Sequence, residues 1–158
     1  MDIKVQMGDV KFNFRVAGVW LNQDYVLLHR IKHETFWSLP GGRVAAGEES
    51  STSIKREFME ELGVDIKIDR LLGTSENFFV HNGKKVHEVG LYYIVHSEDV
   101  DTNTLNKSGE FYGVEGDDLV YQWVKIDQLP SIDVRPGFLY DTLKDLPVGA
   151  QHWVNHDH

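Results

Sequence analysis

Hydrophobic and polar residues alternate in short runs from the start of the chain. Ile3, Val5 and Met7 are separated by polar positions, and Val10, Phe12, Phe14 and Val16 repeat the pattern after Gly8-Asp9. A period of two predicts half-buried strands, joined here by a hairpin turn at the glycine. Val16 to Leu21 is more continuously apolar and predicts a strand covered on both faces. Asn22-Gln23-Asp24 turns the chain into a returning strand over Tyr25 to Ile31, and Phe36 to Leu39 predicts a short strand stopped by Pro40. The period then changes. Ile54, Phe58 and Leu62 recur every four residues, the stripe of a helix over Ser50 to Leu62. Gly63 suits its C-terminus and Ser50 its N-cap. Strand patterns resume over Val64 to Val80 and over Val86 to Val95, with an Asn82-Gly83 turn between them. Ser97 to Asp118 is a polar, glycine-containing stretch long enough to predict a functional loop that closes over a site. Leu119 to Val124 reads as the last strand and Ile126 to Leu129 as a turn before Pro130. Arg135 to Leu146 reads as a closing helix with Phe138, Leu139 and Leu143 inward, and His152 to His158 as a frayed tail.

Strands, one central helix, more strands and a terminal helix predict an α/β layered sandwich with a mixed central sheet. No linker or repeat divides the chain, so one domain over residues 1–158 is expected. At 41% hydrophobic residues the chain can bury a core. It contains no Cys, which excludes disulfides, thiolate metal sites and cysteine nucleophiles. That fits a reducing, cytoplasmic location. No apolar run is long enough to cross a bilayer, so no membrane partner is expected. The net charge of −9 disfavours a DNA polymer as partner. A small phosphorylated substrate arriving with a cation escapes that objection. The pattern leaves the oligomeric state open, a homodimer included.

The candidate chemistry lies on the predicted helix. Glu57, Glu60 and Glu61 are spaced by three and four, within side-chain reach of one another. Glu57 and Glu61 form a like-charged i,i+4 pair, unfavourable in a bare helix, and such a cluster makes better sense around a cation. An all-carboxylate site suits a hard ion, Mg²⁺ or Mn²⁺.

The stretch from Gly42 to Val64 resembles the signature of the Nudix hydrolases, of the MutT-like kind. Gly42, Glu48, Arg56, Glu57, Phe58, Glu60, Glu61, Gly63 and Val64 fill its fixed positions at the required spacing. The resemblance implies a Nudix-type α/β/α sandwich. It also implies a Mg²⁺-dependent (or Mn²⁺-dependent) hydrolase in which water attacks phosphorus in a small nucleoside diphosphate derivative or nucleoside triphosphate. By the same resemblance Glu57, Glu60 and Glu61 are metal ligands. Arg56 orients them, Gly42 lets the backbone approach metal or phosphate, and Glu48 holds the loop against the helix. The general base is not fixed by the signature. Glu61 is one candidate, and Glu110, Glu115, Asp117 and Asp118 are others, with Glu115 taken as the late-loop representative. A non-catalytic module that binds a nucleotide is the alternative reading, but such modules tend to lose the carboxylates kept here. A diphosphate isomerase would need a cysteine.

Outside the signature, Glu88 shares a strand face with Gly90, Tyr92 and Ile94. A carboxylate in an apolar run needs a partner, and Gly90 beside it leaves room for a ligand. Glu88 and Tyr92 are therefore expected at the substrate, against a buried ion pair for Glu88. Trp20, Trp37, Phe79, Tyr92 and Trp123 are each a candidate to stack a base, although aromatics are more often core. The eight histidines show no zinc-type spacing.

Overall fold

The second strand carries the sheet. In the computed structural model, which describes residues 1–98 and 109–157, the two stretches read as separate strands from Val10 onward form one strand, β2 (Val10–Asn22). Its neighbours differ along its length. One edge runs parallel to β6 (Lys84–His96) from Val10↔Lys85 to Trp20↔Val95. The other edge meets β1 (Lys4–Met7) first, then β4 (Gly41–Arg43), and pairs with β3 (Tyr25–Ile31) only at Leu21↔Val26 and Asn22↔Tyr25. β3 therefore diverges from β2, and β4 stands beside β2 where β3 has left it.

Helix α1 (Ser50–Leu62) and β5 (Lys67–His81) follow. The short β7 (Phe111–Tyr112) then pairs with β8 (Leu119–Lys125). The mixed sheet runs β7-β8-β3-β2-β6-β5-β9, with β1 and β4 beside β2. Its last strand, β9 (His152–Asp157), corrects the expectation of a frayed tail. It lies parallel to β5 from Thr74↔His152 to Phe79↔Asp157, and His152 bonds Thr74 and Glu76.

Alternation along the strands sorts the core onto two faces. Val16 and Trp20 join Ile54, Phe58, Val64, Tyr121 and Trp123 beneath α1. Ala17 and Val19 join Leu28, Tyr92, Leu129, Leu139 and Leu143 on the other face. Gly18 lets α1 settle on β2, since a Cβ there would stand 2.8 Å from the Phe58 ring. The helix stops at Gly63, whose φ of 68° few other residues adopt and whose N–H donates to the Met59 carbonyl.

Other expectations need adjustment. The N-cap position is Glu49, without a side-chain cap, and the Ser50 hydroxyl instead bonds Tyr93. Phe36 to Leu39 makes only the isolated bridges His29↔Ser38 and Trp37↔Val134, and the strand forms further on, at β4. The turn before Pro130 is a 3₁₀ helix, Ile126–Ser131, that includes the proline. The closing helix shortens to α2 (Leu139–Lys144), with Pro136 and Gly137 before it and Pro147 soon after. The predicted long loop falls in large part on residues 99–108, outside the described residues, and its later part contributes β7.

Candidate active site

A cavity of about 630 Å³ opens on the α2 side of the sheet. Its floor follows from strand register. Lys11, Val86, Phe79 and Asp157 form one cross-strand row, and Asn13, Glu88, Asn77 and Asn155 form the next. All eight line the cavity, as do Arg15, Ala17 and Tyr92 further along the same face. Their spacing of two within each strand puts them on that face. Glu57 reaches the cavity beside Gly42, in the region where β3 diverges from β2 and β4 is interposed.

The helix carboxylates are held by a small polar network. Arg56 Nη1 donates to Glu57 Oε1 at 3.1 Å and to Glu60 Oε2 at 3.3 Å, and Arg56 Nε donates to Glu48 at 3.2 Å. Ser53 Oγ also donates to Glu48. This is the part expected of Glu48, tying the loop to the helix. Tyr121 donates its hydroxyl to Glu61 Oε2 at 2.9 Å. Glu57 and Glu61 lie against each other. Burial pushes the Glu57 carboxyl up, against the pull of Arg56. Burial also pushes the Glu61 carboxyl up; the Tyr121 hydrogen bond opposes this and the Glu57 charge adds to it. Two partly buried carboxylates raised in this way leave room for a further positive charge beside Arg56.

Gly42 completes the arrangement. A Cβ on it would stand 2.5 Å from the Glu57 carboxyl carbon, so glycine lets the loop cover that carboxylate without displacing it. The donor set is all oxygen, fitting a hard divalent cation with Glu57, Glu60 and Glu61 as the groups to hold it. Among the described residues no three such groups already converge as a formed metal centre, and Glu60, half exposed, is turned toward Arg56. Around the same cavity stand the cations Lys11, Arg15 and Arg43; Arg15 bonds the Leu39 carbonyl and Arg43 bonds Asn13 Oδ1.

Of the remaining candidates, Glu88 lines the cavity and makes no ion pair among the described residues. Tyr92 also lines it, but only 3% of it is exposed, its ring is enclosed by Phe138 and Trp153, and its hydroxyl meets Ser75. The space beside Gly90 is not left for a ligand, because Ser75 Oγ and the Tyr92 ring fill it. Glu115 is exposed and does not line the cavity, although its charge reaches the Tyr121 hydroxyl. Glu110 and Asp117 are engaged with Arg30 and Lys32. Trp20, Trp37 and Trp123 are core, while Phe79 lines the cavity. Sequence reasoning missed Lys11, Asn13 and Arg15, although polar residues at alternate positions of a strand were the available signal. It also missed Glu34, Phe36, Asn77 and Asn155. Glu34 and Phe36 lie outside regular structure between β3 and β4, where the sequence predicts a short strand from Phe36.

Comparison with known proteins shows the family and the fold. The NUDIX domain family model matches residues 11–146. A Bacillus subtilis protein provisionally named as the ADP-ribose pyrophosphatase YjhB is 36% identical over 62 residues, 39% of this chain and 30% of its own length. An 8-oxo-dGTP diphosphatase of Buchnera aphidicola is 25% identical over 124 residues, 76% of this chain and 82% of its own. The chain thus spans about a third of the first curated relatives and most of the length of another. In fold, a crystallised NUDIX hydrolase from Nitrosomonas europaea superposes with a TM-score of 0.64 at 18% identity, covering 92% of this chain and 79% of that one. The family match takes in the strand, loop and helix that build the carboxylate site, and the chain belongs to the NUDIX domain family.

Proposed function

We propose that the protein is a divalent-metal-dependent pyrophosphohydrolase of a small nucleoside diphosphate derivative or nucleoside triphosphate. One observation carries this reading. Glu57 lines a cavity that also presents Lys11, Arg15 and Arg43, and Glu61 lies against Glu57; both carboxyls are partly buried and raised, which a cation beside them would relieve. Negative charge for a metal and positive charge for phosphate in one cleft match a substrate that brings both. The names of the two relatives, a pyrophosphatase and a diphosphatase, point the same way.

Glu57, Glu60 and Glu61 would hold Mg²⁺ or Mn²⁺, which when bound offsets phosphate charge and makes water a better nucleophile at neutral pH. Lys11, Arg15 and Arg43 bind the phosphate oxygens and hold the reacting phosphorus in place. Arg56 acts through the carboxylates by fixing their orientation. Glu61, beside Glu57 with its Oε2 held by Tyr121, is the group assigned to take the proton of the attacking water. Tyr121 keeps its Oε2 occupied and so sets the direction of the carboxylate. Water adds to phosphorus, the bridging P–O bond breaks, and the leaving phosphate departs with that oxygen. Glu115, exposed and outside the cleft, is the weaker candidate for the base. Glu88 and Gly42 contact substrate or its bound ion, and Tyr92 supports the floor.

The test is a panel of nucleoside triphosphates, dinucleotides and nucleotide sugars with and without Mg²⁺. Metal-dependent release of phosphate, pyrophosphate or a nucleoside monophosphate is expected. Tight nucleotide binding without any turnover would make the chain a binding module instead.

A further inference from the structure

The row Asn13, Glu88, Asn77 and Asn155 crosses four neighbouring strands on the cavity floor. At its centre Asn77 is 2% exposed, and its Oδ1 has no hydrogen-bond partner among the described residues. Its Nδ2 faces Ser75 Oγ at 3.3 Å, and Glu88 Oε1 and the Tyr92 hydroxyl at 3.5 Å. An ionised carboxylate only accepts, so Glu88 requires the amide nitrogen on its side and leaves the amide oxygen unmatched. Glu88 has no cation on it, and that long contact is its one hydrogen bond among the described residues. Two adjacent strands thus present a carboxylate and a buried carbonyl oxygen, Cβ atoms about 5 Å apart by register. A buried acceptor left unpaired is costly, and a ligand donor would recover that cost.

We infer that Asn77 and Glu88 form a donor-reading subsite for a group with two adjacent hydrogen-bond donors. The inference rests on the nucleotide reading above and names what that site recognises. Two parts of a nucleotide carry such chemistry. One is a base edge with neighbouring ring N–H and amino groups, as in guanine. The other is the vicinal 2′- and 3′-hydroxyls of ribose. Either set fits acceptors that cannot donate from the carboxylate side, whereas an acceptor edge would meet repulsion from Glu88. β9 places Asn155 next to Asn77 on the same floor.

Equilibrium binding of nucleoside monophosphates without metal tests this independently of turnover, because these ligands have no pyrophosphate bond to cleave. GMP is compared with IMP, which lacks the amino donor, and with 2′-deoxyGMP, which lacks one hydroxyl. We expect one of the two deletions to weaken binding by at least about tenfold, and the affected ligand names the source. Glu88→Gln is expected to shrink that ratio to within about threefold while Tm stays within about 2 °C. Asn77→Ser is the second variant should Glu88→Gln fail to fold. The inference is overturned if both deletions leave affinity within about threefold, or if GMP fails to bind at millimolar concentration. It is also overturned if the ratio survives in the folded variant. Turnover of a nucleotide with no such discrimination would sink this inference and leave the proposed function standing.

Discussion

Gly42 and Glu57 are in a contact that a side chain on residue 42 would push apart: the Glu57 carboxylate occupies the space where that side chain would begin, 2.5–2.7 Å from an ideal Cβ. The loop glycine and the helix carboxylate therefore form one unit. Glu57 is pinned from above by the loop and from the side by Arg56. Gly42→Ala is expected to displace Glu57 and lower kcat by at least about tenfold, since an ångström of misplacement at a reacting centre costs that much. Kinetics and a melting curve on the variant check it. Native turnover would show that the carboxylate has room to move.

Tyr121→Phe removes the hydroxyl that donates to Glu61 Oε2. That hydrogen bond holds the Glu61 carboxyl down against burial, so its loss raises the carboxyl further. The acid limb of the pH–rate profile is expected to move to higher pH, with kcat lowered several-fold. An unmoved limb would separate Glu61 from proton transfer.

His29 offers a stability test away from the metal ligands. It is buried on β3, and burial first, then the Arg15 charge, lowers its pKa to about 3. The unfolded chain keeps the ordinary value near 6.5, so between those values it binds more protons than the folded chain. Stability from a neutral His29 is full above about pH 6.5 and declines as pH falls toward 3. One proton gives about 1.4 kcal/mol per pH unit, so about 2 kcal/mol is lost between pH 7 and 5. Urea unfolding at the two pH values measures it. His29→Gln should flatten that dependence, and an equal slope in the variant would assign it elsewhere.

The terminal strand is structural. Trp153 stacks on Phe138 with ring centroids 4.5 Å apart and meets Tyr92 edge-on. Trp153→Ala is expected to cost about 2–3 kcal/mol, less than a fully buried tryptophan because the residue is half-buried. A change below about 0.5 kcal/mol would return residues 152–157 to the frayed tail read from the sequence.

That misreading shows where the sequence was legible and where it was not. The body and C-terminus of α1 could be read because Ile54, Phe58, Leu62 and Gly63 carry a local signal, and the spacing of Glu57, Glu60 and Glu61 goes with it. β3 and the Asn82-Gly83 turn were equally local. β9 was not: its partner β5 lies more than seventy residues earlier, and its polar residues are matched by Thr74 and Glu76 rather than by an apolar pattern. The cleft floor was half legible. Glu88 stood out as a carboxylate among apolar residues, but its neighbours Asn13, Asn77 and Asn155 come from three other strands, and only register joins them. Tyr92 was on the right face, yet its ring is spent on packing.

The most direct test of the central claim is Glu60→Gln, assayed for Mg²⁺-dependent cleavage of the best substrate from the panel. Glu60 is half exposed, and among the described residues its one ion pair is the i,i+4 pair with Arg56, worth about 0.5 kcal/mol. Stability should therefore change little. If the three helix carboxylates hold the catalytic cation, kcat falls by about a hundredfold or more with Tm unchanged. A folded Glu60→Gln protein that cleaves the substrate within a few-fold of the native rate would contradict the assignment.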